Sequence, residues 1–138
     1  MIRAERAEET RESTQERKEN PEREKSIHLR LVEQMLEQNN AFAAIAHLDA
    51  YDQKWGSNRR SKQLRADSLR KTNQLDKAEG VYQSLLSGAP AGSTGPVWYG
   101  LGKVAIEKGD LRTAATRLEK SVQIDPLNVD AYSDLGLV

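Results

Sequence analysis

The sequence predicts an all-α protein of about three helical hairpins and one further helix, preceded by a charged N-terminal extension. Three observations support this prediction. Apolar residues recur at helical spacing from residue 25 onward, and short turns rich in Gly, Asn or Pro separate these segments. The combined pattern returns after about 34 residues. Because one hairpin cannot bury its own apolar face, the hairpins are expected to stack on one another.

Composition excludes several classes of protein. The 138 residues suit a single domain, and 21 basic residues balance 21 acidic ones, so no net charge attracts nucleic acid or an anionic membrane. The absence of Cys excludes disulfides, thiolate metal sites and a cysteine nucleophile. No apolar run approaches the roughly 18 residues that span a bilayer. We therefore expect no nucleic-acid partner and no membrane span in this chain.

Residues 1–24 form the charged extension. After Ile2 no large apolar residue occurs until Ile27, so this stretch cannot bury enough surface to form a core. It is predicted to be disordered or partly helical, and Asn20-Pro21 is predicted to interrupt any helix, because the residue before proline avoids helical backbone angles.

The hairpin at 95–128 has the clearest pattern. Val97, Trp98 and Leu101 form one apolar face, Gly109-Asp110 breaks the helix, and Pro126 ends the hairpin. Small residues are expected to let the two helix backbones approach closely, and aromatic or large aliphatic residues are expected to form the core. The small residues are Gly102, Ala114 and Ser121, and the core prediction comprises Trp98, Tyr82, Tyr132 and Leu118.

The same pattern recurs before and after this hairpin. It covers 25–58 and 59–92, and a partial unit covers 129–138, with a two-residue insertion near Ser93-Thr94. The predicted helices are 26–38, 41–54, 60–72, 75–87, 95–108, 111–124 and 129–137.

The unit at 95–128 resembles a tetratricopeptide repeat (TPR). Trp98, Leu101-Gly102, Ala114 and Pro126 occupy the family's motif positions, although Ala105 replaces its tyrosine. The resemblance implies a TPR domain at 25–138, an α-solenoid in which the first helix of each hairpin lines a concave groove for a protein or peptide partner. The residues that it implies for this groove are Leu29, Glu33, Leu36, Arg60, Gln63, Asp67, Arg70, Tyr99, Lys103 and Ile106.

A narrower resemblance covers about residues 40–138. The segments HLDAYDQKW and WYGLGKVAIEKGDLRTAATRLEKSVQIDPLNVDAYSDLG are similar to the TPR protein of tight-adherence (Tad/Flp) pilus assembly. That resemblance implies a periplasmic, outer-membrane-associated protein with pilus or secretion components as partners, and a cytoplasmic location is the alternative. A lipid anchor would then require a leader that precedes Met1, because the chain has no cysteine.

No catalytic or metal motif is visible. His28 and His47 lie nineteen residues apart without a metal-ligand spacing, and the serines lie in no nucleophile elbow. The carboxylates are expected on solvated faces beside basic residues. We therefore predict no enzyme activity, no cofactor and no metal site.

Two functional hypotheses follow. The first is a non-catalytic scaffold or adaptor that binds a partner in its groove, within bacterial pilus or secretion-system assembly. The alternative is a regulatory or oligomerisation segment of a larger enzyme or signalling protein, because the last unit stops within its first helix. That helix leaves apolar residues without a hairpin partner, so self-association through the C-terminal helix is also expected.

Overall fold

The computed structural model describes residues 20–90 and 92–137, and within these ranges it is all-helical, with seven helices and no strand. The predicted all-α class is confirmed. Predictions about residues 1–19 fall outside the described residues. The helices are α1 (Pro21–Glu37), α2 (Ala41–Trp55), α3 (Arg59–Lys71), α4 (Leu75–Leu86), α5 (Gly95–Glu107), α6 (Leu111–Ile124) and α7 (Val129–Leu137).

The first helix begins five residues earlier than predicted. The side chain of Asn20 accepts a hydrogen bond from the backbone N–H of Arg23 at 3.2 Å, and Pro21 occupies the first helical turn. Proline is tolerated there because its missing N–H would have no helical partner. Asn20-Pro21 therefore starts a helix, and the last four residues of the predicted extension belong to α1.

Three hairpin turns share one backbone conformation. Asn39, Asn73 and Gly109 each follow a helix with positive φ angles of 59°, 63° and 80°. The next residue in each turn donates its N–H to a carbonyl five residues earlier, at 2.7, 2.8 and 2.9 Å, which is the Schellman ending of a helix. These residues lie 34 and then 36 residues apart, in agreement with the period and the two-residue insertion seen in the sequence.

The helices pack in series. Each helix packs against the next one in the chain, and α1 also contacts α3, as α3 contacts α5. One apolar cluster joins α1 and α2 with Leu64 of α3, and a second joins α3, α4 and α5 around Leu69 and Tyr82. The helix α3 therefore contributes to both clusters, and α1, α3 and α5 lie side by side.

The core predictions are confirmed in part. Tyr82 and Leu118 are fully buried, whereas Trp98 is half-buried against the second cluster with Lys120 lying 4.5 Å above its ring. The prediction for Tyr132 is wrong, because its side chain is 49% exposed. Within the described residues no helix covers that side of α7, which buries Ala131 instead.

The Asn58 side chain caps the N-terminus of α3. Its Oδ1 accepts from the N–H of Ser61, whose hydroxyl accepts from the N–H of Asn58, both at 2.8 Å. Its Nδ2 also donates to the hydroxyl of buried Tyr51 at 2.8 Å.

Asn58→Ala should lower the free energy of unfolding by about 1–2 kcal/mol in a denaturant titration. Ser57→Ala, one residue earlier and exposed, should change it by less than about 0.5 kcal/mol. Equal effects would contradict the capping role.

Candidate functional site

The ten predicted groove residues all lie on α1, α3 and α5, and we call the surface that these ten residues form the odd-helix face. Two adjoining clefts open on this face between α1 and α3, with volumes of about 340 and 290 Å³, and Glu33 and Arg60 line both. Six of the ten predicted residues line the clefts: Leu29, Glu33, Leu36, Arg60, Asp67 and Arg70.

Ion pairs join neighbouring helices across the odd-helix face. Glu33 of α1 pairs with Arg60 of α3. Further along, Arg70 Nη1 lies 3.6 Å from Glu107 Oε1 of α5, and Lys103 Nζ lies 3.3 Å from an oxygen of Asp134 on α7. The charges that the sequence suggested for partner recognition therefore also neutralise one another.

The apolar groove residues are less accessible than the sequence suggested. Leu29 and Leu36 are only 7% and 6% exposed, because both belong to the apolar cluster between α1 and α2. They form the floor of the two clefts and offer little free surface. Tyr99 and Ile106 of α5 are half-buried, so the more accessible apolar area of this face lies on α5.

A polar pair that the sequence did not reveal lies at the junction of α3 and α4. Tyr82 of α4 donates its hydroxyl to Asp67 Oδ1, and the same oxygen accepts from Gln63 Nε2 at 3.4 Å. Arg70 Nε donates to the Tyr82 hydroxyl at 3.5 Å. Asp67 is half-buried and Tyr82 fully buried. The expectation that carboxylates occupy solvated faces is therefore wrong for Asp67.

Burial dominates the electrostatics of this pair. It raises the pKa of Asp67 above 3.8, and this effect exceeds the opposing ones of the Tyr82 hydrogen bond and the Arg70 charge. Burial, followed by the nearby Asp67 charge, also raises the pKa of Tyr82. The pKa of Tyr99 is raised to about 12 by burial and then by Asp134 and Asp130. Both tyrosine hydroxyls are therefore protonated donors at neutral pH.

One sequence signal could have identified Asp67. In the sequence it lies beside the apolar residues Ala66 and Leu69, both of which the structure buries, so Asp67 lies within the packed part of α3. Gln63 and Arg70 lie one turn to either side on the same helix face. The contact of Asp67 with Tyr82 could not be inferred from the sequence, because Tyr82 lies on another helix.

The structure also brings the two histidines together. His28 Nδ1 of α1 lies 3.3 Å from His47 Nε2 of α2, and the Trp55 ring lies 5.2 Å from that of His28 between centroids. Both histidines are half-buried. Over residues 20–90 and 92–137, no group of three or more His, Asp or Glu side chains could enclose a metal ion.

Comparison of the chain with protein-family models gives no match, and comparison with curated proteins gives none either. Among the described helices, none combines the length and apolar character that crossing a membrane requires.

Proposed function

We propose that this chain is a non-catalytic, TPR-like α-solenoid that acts as a scaffold or adaptor and binds a protein or peptide on its odd-helix face. The proposal rests on the two adjoining clefts of that face, because six of the groove residues that the TPR resemblance implies line them. A third segment of the face, around Tyr99 and Ile106, supplies partly exposed apolar surface beyond the clefts.

The serial packing of the helices supports the solenoid part of the proposal. In a solenoid, contacts join neighbouring units, and the first helices of successive hairpins lie side by side. The contacts α1–α3 and α3–α5 agree with that arrangement, as do the three identical turns. The apolar residues form two clusters that share α3, as expected for stacked hairpins, whereas a helical bundle would have one central core.

The non-catalytic part of the proposal rests first on the Asp67–Tyr82 pair, in which the pKa values of both side chains are raised. The Tyr82 hydroxyl is engaged by Asp67 and buried, so it is closed to a substrate. The two histidines lie between α1 and α2, and neither of them lines either cleft. No acid, base and nucleophile therefore converge on a common point among these groups.

The biological setting is proposed from the resemblance to the Tad/Flp assembly protein. Partners would be components of a bacterial pilus or secretion system, and the location would be the periplasmic side of the outer membrane. An extended segment or helix with both acidic and basic side chains would suit the odd-helix face, because the face is charge-balanced across each helix junction.

A charge swap tests partner binding without removing the ion pair that joins α1 and α3. The double variant Glu33→Arg with Arg60→Glu keeps the net charge and the pairing but reverses the charges at the point shared by both clefts. Partners captured by cross-linking in the source organism's cell envelope would be purified, and their affinities measured by calorimetry. The swap should weaken binding at least tenfold, because a matching charge pattern becomes repulsive.

The matched control is Arg112→Glu with Glu119→Arg on α6, where both side chains are exposed and lie outside the two clefts. It should leave affinity unchanged. Equal binding by the swap, the control and the unaltered chain would exclude the clefts as the binding site. A captured set without pilus or secretion components would exclude the proposed setting while leaving the scaffold role intact.

A further inference from the structure

The chain contains two histidines, His28 and His47, and their imidazole rings are in contact. The two nitrogens are 3.3 Å apart, the ring centroids 5.5 Å apart, and the ring planes are inclined by 36°. The histidines come from different helices of the first hairpin, so its packing holds the two rings in place.

The separation of the nitrogens agrees with the geometry of metal ligation. Zinc–imidazole bonds are about 2.0–2.1 Å long, so two ligands at a tetrahedral angle have nitrogens about 3.3–3.4 Å apart. The observed 3.3 Å lies just above the usual range of about 2.7–3.2 Å for N–H hydrogen bonds to oxygen, and it matches the edge of a tetrahedral zinc site. The two nitrogens are therefore close enough to bind one metal ion.

We propose that His28 and His47 chelate one divalent transition-metal ion and leave its remaining positions to water or to a side chain of a bound protein. Imidazole nitrogens favour zinc, nickel and copper over magnesium and calcium, which prefer oxygen. Because no third protein ligand converges there among the described residues, the site would be open. Open sites of this kind exchange ligands, whereas closed four-ligand sites are structural.

Neighbouring side chains suit such a site. The Trp55 ring lies against His28, and the Tyr51 ring packs 5.1 Å from that of Trp55, so the imidazole has an aromatic wall that limits its rotation. The Lys54 Nζ lies 4.7 Å from the centroid of the Trp55 ring. This Nζ also lies 3.9 Å from Glu24 Oε2, which reduces its repulsion of a bound metal ion.

The experiment uses the full chain without any affinity-tag histidines. Zinc and nickel would be titrated separately by calorimetry, with magnesium as the oxygen-preferring comparison, while NMR follows the ring C–H signals of the two histidines. One equivalent of zinc should bind and shift both sets of signals together, and nickel should broaden both. Magnesium should do neither. Zinc should also raise the melting temperature, because only the folded chain holds the two nitrogens together.

His28→Gln and His47→Gln should each weaken zinc binding at least tenfold, because a chelate needs both nitrogens. Circular dichroism checks that each variant keeps its helical content, and if one unfolds, the NMR titration of the unaltered chain decides. The proposal fails if the two histidines respond at different zinc concentrations, if single variants bind as well as the unaltered chain, or if zinc leaves both signals unchanged. Any of these results would identify the contact as a hydrogen-bonded pair only.

Discussion

Replacing Gly100 with alanine is expected to lower the free energy of unfolding by about 1–3 kcal/mol, the usual cost of adding a methyl group to a filled core. Gly100 lies on α5 directly against the Tyr82 ring of α4. A methyl group there would overlap that ring and lie 2.7 Å from its hydroxyl oxygen. The ring cannot move aside easily, because Tyr82 is fully buried and its hydroxyl is held by Asp67.

Gly80→Ala is the matched control for this prediction. Gly80 lies within α4, is exposed, and has no heavy atom within 4 Å of an added methyl group. Alanine favours a helix over glycine by about 0.5–1 kcal/mol, so this variant should be more stable than the unaltered chain. The difference between the two variants, measured by denaturant titration, isolates the overlap with Tyr82. Similar stabilities would contradict the close approach of α4 and α5.

The second large effect is expected at Tyr82 itself. Tyr82→Phe keeps the ring but removes the hydroxyl that Asp67 accepts, so a half-buried carboxylate loses its strongest partner. Hydrogen bonds to charged groups contribute about 1.5–3 kcal/mol, and a loss of this size is expected at neutral pH. In an Asp67→Asn background the same change should cost about 1 kcal/mol, the usual value for a neutral pair. An identical cost in both backgrounds would show that the two side chains are not coupled.

The pH dependence of stability should also depend on Asp67. Its pKa is higher in the folded chain than the 3.8 of the unfolded chain, so above pH 3.8 the folded state binds the proton more tightly. Stability relative to Asp67→Asn must therefore fall as the pH rises through the interval between the two pKa values. Compared with the Asn variant, the unaltered chain should therefore be less stable at pH 7 than at pH 4. Unfolding titrations at pH 4 and pH 7 measure this, and a relative gain with rising pH would contradict it.

Much of the fold could be predicted because its signals are local. The bounds of α6 and α7 agree with prediction, α2, α4 and α5 differ by one residue at one end, and α3 differs by one residue at each end. The Asn39, Asn73 and Gly109 turns lie where the pattern breaks, because these residues tolerate positive φ. The early start of α1 had a local cause as well, because Pro21 begins a helix once Asn20 caps it. The exposure of Tyr132 had a tertiary cause, because no helix among the described residues covers it.

The candidate site was predicted less completely. The TPR resemblance implied ten groove residues, and six of them line the two clefts. It did not indicate that Leu29 and Leu36 would be covered, because burial depends on how closely neighbouring helices approach. It also gave no sign that Glu33 and Arg60 would pair, since the two residues belong to different hairpins.

The amino-acid sequence alone determined the all-helical class, the order of the helices and the spacing of the turns, because each depends on residues within one or two turns of each other. Only the tertiary structure decided which side chains meet: Tyr82 with Asp67, and His28 with His47. These contacts depend on the rotation and separation of whole helices. Small residues such as Gly100 influence the separation, because the absence of a side chain lets a neighbouring helix come close.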